Sequence, residues 1–412
     1  MNFIKEIKIK NFFSIKDEII LNFEASDYTK ENHKERAFKD KDNYYNKLIS
    51  IYGANASGKT TLLKSLVVLG ATINNEKSDT LPYSIKNKFA HANSKTELSV
   101  NFVVLVDGCY QEFQYELIFD ANRSKINNAI SNEILYIIKE NKRYTFFNRK
   151  DRKITIDDID IKTKDIIFDN IKPTISIFKE FEKFDQSSLI LTSIKNFLGN
   201  IPSLTNINSA FFTTFGIKKE DEEKFVLNII NDEKLKGFIE KFLHSVGMDI
   251  DDIKVDFDRD EDDQIQGIKD ILIYHSIDTK IPLEYKLESD GTKMLFKILI
   301  DVYLAKKYAT VLVIDEFDSV LHSMLVPLLN KLIIDSDIQI FYTTHNIYNM
   351  KFLYADEIYI IEKDDVHKTH IKEPKKDDTL KGYENFLSLY ENNYLGGLPI
   401  FENIFTKIDD DK

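Results

Sequence analysis

Gly53-Ala54-Asn55-Ala56-Ser57-Gly58-Lys59-Thr60 follows the apolar run Leu48 to Tyr52 and leads into Thr61-Leu62-Leu63-Lys64-Ser65-Leu66. The octapeptide satisfies G-x-x-x-x-G-K-[S/T], in the order its chemistry needs: a strand, a glycine-rich turn, then a helix from about Gly58 to Leu69. Glycines let successive N–H groups turn inward as an anion nest, and the helix N-terminus adds the positive end of its dipole. Residues Gly53 to Thr61 are therefore expected to cradle a nucleotide. Lys59 would bridge the β- and γ-phosphates, Thr60 would ligate Mg2+, and Thr61 would reach the α-phosphate.

Outward from that turn, the C-terminal half supplies the complementary pieces. Thr310-Val311-Leu312-Val313-Ile314-Asp315-Glu316 is a buried-strand run ending in two carboxylates, at the edge where α/β sheets place their sites. Asp315 is expected to hold the Mg2+ shell and Glu316 to orient or deprotonate an attacking water. Leu287-Glu288-Ser289-Asp290-Gly291-Thr292-Lys293 precedes the helix before that strand. Ser289 and Gly291 sit in its first turn, so a hydroxyl and free N–H groups suit a γ-phosphate. In such folds Ser289 cannot reach its own phosphate loop, which implies a partner subunit; a plain N-cap serine is the other reading. His345, in Phe341-Tyr342-Thr343-Thr344-His345-Asn346, ends the next strand and is expected to sense the γ-phosphate and the water. Asp318 and Ser319 read as a loop crossing the dimer interface; for His322, surface packing and a catalytic role stand level.

The surrounding pattern is β-rich at the front and alternating β-α-β at the back. Ile4 to Ile9 and Ile19 to Phe23 read as strands, Ser26 to Asn46 as a surface loop. Strands recur between Glu97 and Phe147, with Asp107-Gly108 as a hairpin turn. From about Ile156 to Val246 the spacing is helical, and an acidic stretch, Asp249 to Asp263, marks the exit. Strands follow at Lys269 to Ser276, Pro282 to Lys286, Gln339 to Tyr342 and Glu357 to Ile361, with helices from Gly291 to Lys307 and Val320 to Ile333. The expected organisation is an N-terminal lobe over 1–150 with the phosphate loop and an antiparallel β subdomain, a helical insertion over 151–265, and a C-terminal lobe over 266–412.

Composition narrows the function classes. The net charge of −12 disfavours general affinity for nucleic acid. The longest apolar runs fall short of the ~20 residues a bilayer span needs, and the N-terminus alternates charge with β-formers rather than forming a signal peptide. Cys109 is the only cysteine, so no intramolecular disulfide forms and a cysteine-based metal site is disfavoured. A cytoplasmic location is expected. No arginine lies beyond Arg259 to act as a trans-acting finger near the later motifs.

Taken together, these motifs resemble the prokaryotic ABC-type ATPases of AAA type, including RloA-like and abortive-infection ATPases, and more distantly the OLD, RecF and SMC heads. The opening Ile9-Lys10-Asn11-Phe12-Phe13-Ser14-Ile15 and the ending Asn393-Tyr394-Leu395-Gly396-Gly397-Leu398-Pro399 are similar to that family's. Asp290 and Thr292 depart from the Leu-Ser-Gly-Gly-Gln form, which argues against a transporter ATPase. No Q-loop glutamine is assignable; Gln111 and Gln114 read as surface strand residues. The resemblance implies an α/β P-loop NTPase of the ABC-head type, with a mixed sheet, an antiparallel β subdomain and a helical insertion. It also implies ATP and Mg2+ as ligands and a head-to-tail dimer of this chain. A role in phage defence or a restriction-linked system follows, with a separate effector such as a nuclease. A RecF- or SMC-like nucleic-acid clamp is the alternative. Fewer than seventy residues follow His345, too few for a fused nuclease domain.

Overall fold

The computed structural model describes residues 1–74, 85–91, 93–120, 129–150, 153–156, 164–167, 175–179, 188–201, 232–248, 250–259, 264–275, 281–364, 368–380 and 385–398. At its centre is a five-stranded sheet built around β5 (Leu48–Tyr52). On one side of β5 lie β16 (Ile340–Thr343) and then β15 (Leu312–Ile314). On the other lie β17 (Ile358–Lys363) and β18 (Thr369–Lys372). The first four strands run parallel and β18 closes the edge antiparallel. Every residue of β5, β15 and β16 is buried, as expected of parallel strands covered on both faces.

The two-residue side-chain period splits each central strand between two cores. Ile49, Ile51, Val313, Phe341 and Tyr359 face α2 (Lys59–Asn74) and the N-terminal β layer. Leu48, Tyr52, Leu312, Ile314, Tyr342 and Ile360 face α5 (Asp290–Tyr308) and α6 (Leu325–Asp335). Helix α5 ends where Ala309 turns left-handed, at φ 51°.

An eight-stranded antiparallel sheet runs β11 (Lys164–Ile167), β10 (Lys153–Ile156), β9 (Lys142–Lys150), β8 (Ala129–Lys139), β7, β6, β1, β2. It contains β1 (Phe3–Lys10), β2 (Ile19–Asn22), β6 (Thr96–Val106) and β7 (Cys109–Asp120). Asp107 and Gly108 form the β6–β7 turn at φ 49° and 76°, the left-handed pair a two-residue hairpin needs. The buried Gln339 amide ties the two sheets: it accepts from the Ile4 N–H (2.7 Å) and donates to the Ile4 and Asn46 carbonyls.

Three stretches differ from their sequence reading. Ser26 to Asn46 is not a loop. Ser26 caps α1 (Asp27–Asn32), and β3 (Ala37–Asp40) pairs with β4 (Asn43–Asn46). Phe38 and Tyr45 stack on Phe3 at centroid distances of 5.2 and 5.4 Å, an anchor hidden by the charged residues around it. The stretch beyond Ile156 is only partly helical. After β8 (Ala129–Lys139) and β9 (Lys142–Lys150), β10 (Lys153–Ile156) and β11 (Lys164–Ile167) extend the antiparallel sheet. Its helices include α3 (Leu189–Ile194), which runs into a π-turn over Lys195–Gly199, and α4 (Glu233–Ser245). The charged run at 218–224 lies outside the described residues.

The acidic exit, finally, is mostly a strand. β12 (Ile250–Arg259) pairs with β13 (Ile265–His275), and β13 pairs with β14 (Leu283–Glu284). Ile250 and Ile253 are buried, while Asp252 is held in the open by Lys236 (2.8 Å) and Lys254. A strand with one solvated face accommodates aspartates that a strand covered on both faces would exclude. Helix α6 also starts later than expected, because residues 317–324 form turns.

Candidate active site

The phosphate loop emerges between β5 and α2. Gly53 stands at φ 142°, and a Cβ there would come 2.1 Å from the Ile361 carbonyl oxygen; Gly58 stands at φ 116° against Ser14 Oγ. Both positions therefore demand glycine. The Lys59 ammonium folds back to donate to the Gly53 (2.8 Å) and Ala54 (3.0 Å) carbonyls. Burial pulls its pKa below the usual lysine value, against the pull of Asp315 and Glu316. Ser57 Oγ is buried with no hydrogen-bond partner.

The Asp315–Glu316 strand end meets this loop directly. Thr60 Oγ1 donates to Asp315 Oδ1 at 3.2 Å. Thr343 Oγ1 donates to the same oxygen and accepts from the Glu316 N–H at 2.8 Å. One hydroxyl thus fixes the aspartate and the backbone of the glutamate together. Glu316 is held at φ 52°, a left-handed conformation rare outside glycine and frequent where strain serves a site. Its carboxylate is exposed to the cleft.

An open cleft of about 490 Å3 is lined by Asn55, Ala56, Ser57, Gly58, Lys59, Thr60, Thr61, Asp315, Glu316 and His345. All ten were singled out by the sequence, and Gly53 and Ala54 form the floor of the loop beneath them. Two lining residues were not: Ser14 and Thr343. Ser14 Oγ donates to Thr61 Oγ1 at 2.8 Å, across a fold no local pattern predicts. Thr343 stands beside His345 in a stretch already marked, yet its bond to Asp315 depends on strand order. Burial and the Lys59 charge both push the His345 pKa down, so its ring stays neutral at neutral pH.

Three expected site residues are not part of this cleft's lining. Ser289 is exposed and caps α5, accepting from the Thr292 N–H at 3.1 Å. Gly291 packs where a Cβ would meet the Val320 carbonyl oxygen at 3.0 Å. Asp318 is half-buried and accepts from Thr344 Oγ1 at 2.8 Å; burial pushes its carboxyl pKa up. His322 Nδ1 accepts from the Met324 N–H, which fits local packing. Gln114 is buried inside the β sheet, bonded to Ser99 and Glu116, and not on the surface as expected. Among the described residues no cluster of three or more His, Cys, Asp or Glu forms a metal site, and no helix is long and apolar enough to cross a membrane.

A glycine-rich loop between strand and helix, facing the Asp-Glu end of a parallel strand one place removed in the same sheet, defines a P-loop NTPase. The antiparallel sheet beside it gives the ABC-type head. Within that class the chain belongs to the AAA domain family described as "AAA domain, putative AbiEii toxin, Type IV TA system", whose profile matches residues 48–350. Among curated proteins, a search finds no match. Similar solved structures include an SMC head bound to the C-winged helix domain of ScpA, at 12% identity, covering 90% of this chain and 97% of that one, with a TM-score of 0.49. The Thermotoga maritima SMC head domain is 14% identical over 90% and 98%, at a TM-score of 0.43. The Pyrococcus yayanosii SMC head with coiled coil and joint is 10% identical over 95% and 100%, at 0.47.

Proposed function

We propose that this chain binds and hydrolyses Mg-ATP and closes head-to-tail on a second copy of itself while the nucleotide is held. The carrying observation is the division of parts. The cleft gathers the loop, Thr60, Asp315, Glu316 and His345, whereas the exposed Ser289 helix end lies outside it. A second copy facing this one would bring that end to the γ-phosphate.

The residues present fit both ligands. An unpartnered Ser57 hydroxyl, two glycines that admit no side chain, and Lys59 resting on loop carbonyls suit a polyphosphate. The Thr60 hydroxyl and Asp315 carboxylate are hard oxygen donors of the kind Mg2+ takes. When bound, the ion neutralises phosphate charge. The rest is done by the chain: Lys59 swings from its carbonyls to the phosphates, Glu316 holds the attacking water, and neutral His345 hydrogen-bonds the terminal phosphate. The family description, which names an AbiEii toxin and a type IV toxin–antitoxin system, favours a setting in abortive infection; a separate effector and a cytoplasmic location belong to the proposal on the sequence reading alone.

Trapping the closed state tests this reading. With Glu316→Gln and ATP, light scattering is expected to show twice the protomer mass. Adding Ser289→Asp keeps a good helix cap but sets a carboxylate against the γ-phosphate, and should leave monomers. A monomer at high concentration in the first case, or a dimer in the second, would overturn the head-to-tail arrangement.

The depressed His345 pKa predicts a pH profile with a definite sign. The midpoint of its protonation lies below the ordinary imidazole value of about 6.5. The acid fall in phosphate release should therefore have its midpoint below about pH 6.5, and His345→Gln should lose that part of the fall. An unchanged acid limb in His345→Gln removes the histidine from the mechanism.

A further inference from the structure

The phosphate loop begins close to a turn near the far end of the chain. Strand β17 pairs with β5 with Ile360 beside Tyr52, so Gly53 falls beside Ile361. After α7 (Phe386–Glu391) the chain returns over this junction. Gly396 and Gly397 both take positive φ, 76° and 78°. The Gly397 N–H donates to Glu362 Oε2 (3.2 Å), and its carbonyl accepts from the buried Tyr390 hydroxyl (2.9 Å). A Cβ on Gly397 would strike Ile360 Cγ2 at 2.5 Å and come within 3.6 Å of Gly53 Cα. A Cβ on Gly396 would come 2.6 Å from both Glu362 Oε2 and Lys372 Nζ, which are themselves paired across β17 and β18.

Turn geometry alone accounts for the two φ angles, but not for packing so close that a Cβ on Gly397 would lie 3.6 Å from Gly53 Cα. We infer that the Gly396–Gly397 turn is a brace that positions the phosphate loop. Its anchors come from β17 through Glu362 and from α7 through Tyr390, so the brace registers movement of either. It packs beside Gly53 Cα, and the Gly53 carbonyl is the resting partner of Lys59. Shifting the turn therefore shifts the loop floor and the lysine with it. The affinity consequence rests on the nucleotide reading above; the positioning does not.

The test uses the full chain with Gly397→Ala and, separately, Tyr390→Phe, which removes one hydrogen bond and leaves the ring packing. In nucleotide-free protein, amide exchange over residues 53–58 is expected to quicken about tenfold in Gly397→Ala and by less in Tyr390→Phe. Exchange along β1 should stay as in the wild type. ATP affinity should fall about tenfold in Gly397→Ala, since a loop displaced by a fraction of an ångström loses aligned donors. Unchanged exchange over residues 53–58 in a folded variant overturns the brace; if Gly397→Ala does not fold, Tyr390→Phe alone decides. A wild type that binds no ATP would refute the nucleotide reading, while faster loop exchange would still uphold the brace.

Discussion

Glu316→Gln is expected to slow phosphate release by about 10²–10⁴-fold while ATP affinity stays within about threefold of the wild type. The substitution keeps the side chain's length and shape and removes only its capacity to take a proton. Nothing else about the position should change. Its backbone is set by the Thr343 hydroxyl and by the left-handed turn, neither of which involves the carboxylate. Lys59 and Thr60 keep their partners, so binding should survive. Single-turnover release separates chemistry from slow product loss, and a nucleotide titration reports binding. Equal single-turnover rates in the two proteins would discard Glu316 as the group that activates water. A loss of affinity matching the loss of rate would mean that the substitution disturbed the loop instead.

The motifs of this site were legible because each is local. A phosphate loop declares itself in eight residues, and an aspartate–glutamate strand end in seven. What remained hidden is what the topology assembles. Ser14 and Thr61 meet only because the turn after β1 folds over the start of α2. Thr343 can serve Asp315 only because β16 lies between β15 and β5. The same cause explains the misread stretches. Phe38 and Tyr45 look isolated among charges until Phe3 receives them, and the aspartates of β12 hide a strand whose inward residues are Ile250 and Ile253. The Gly396–Gly397 pair was visible as a pair; its contact with Gly53 was not.

Stability offers the second large effect, at Arg149. Glu133 on β8 and Arg149 on β9 are direct cross-strand neighbours, both fully buried, with Arg149 Nη1 at 3.7 Å from Glu133 Oε2. The carboxylate also accepts from Tyr115 (2.8 Å), the Ser176 hydroxyl and the Ile177 N–H (2.9 Å), while Arg149 donates to the Ile175 carbonyl. This cluster pins residues 175–178 to the sheet, and Phe178 packs edge-on against Tyr115 and Phe147. Arg149→Leu leaves a buried carboxylate without its counter-charge and is expected to cost about 3–5 kcal/mol in urea unfolding. Burial already raises the Glu133 pKa, with Arg149 the leading opposing influence. Without the arginine the folded-state pKa climbs further above the unfolded-state value, so the folded protein binds the extra proton. The deficit should therefore shrink at pH 5 and widen at pH 8. Adding Glu133→Gln removes the charge itself and should recover about 2 kcal/mol. A deficit that is the same at both pH values, and untouched by the second substitution, would show that Arg149 contributes packing volume and not charge.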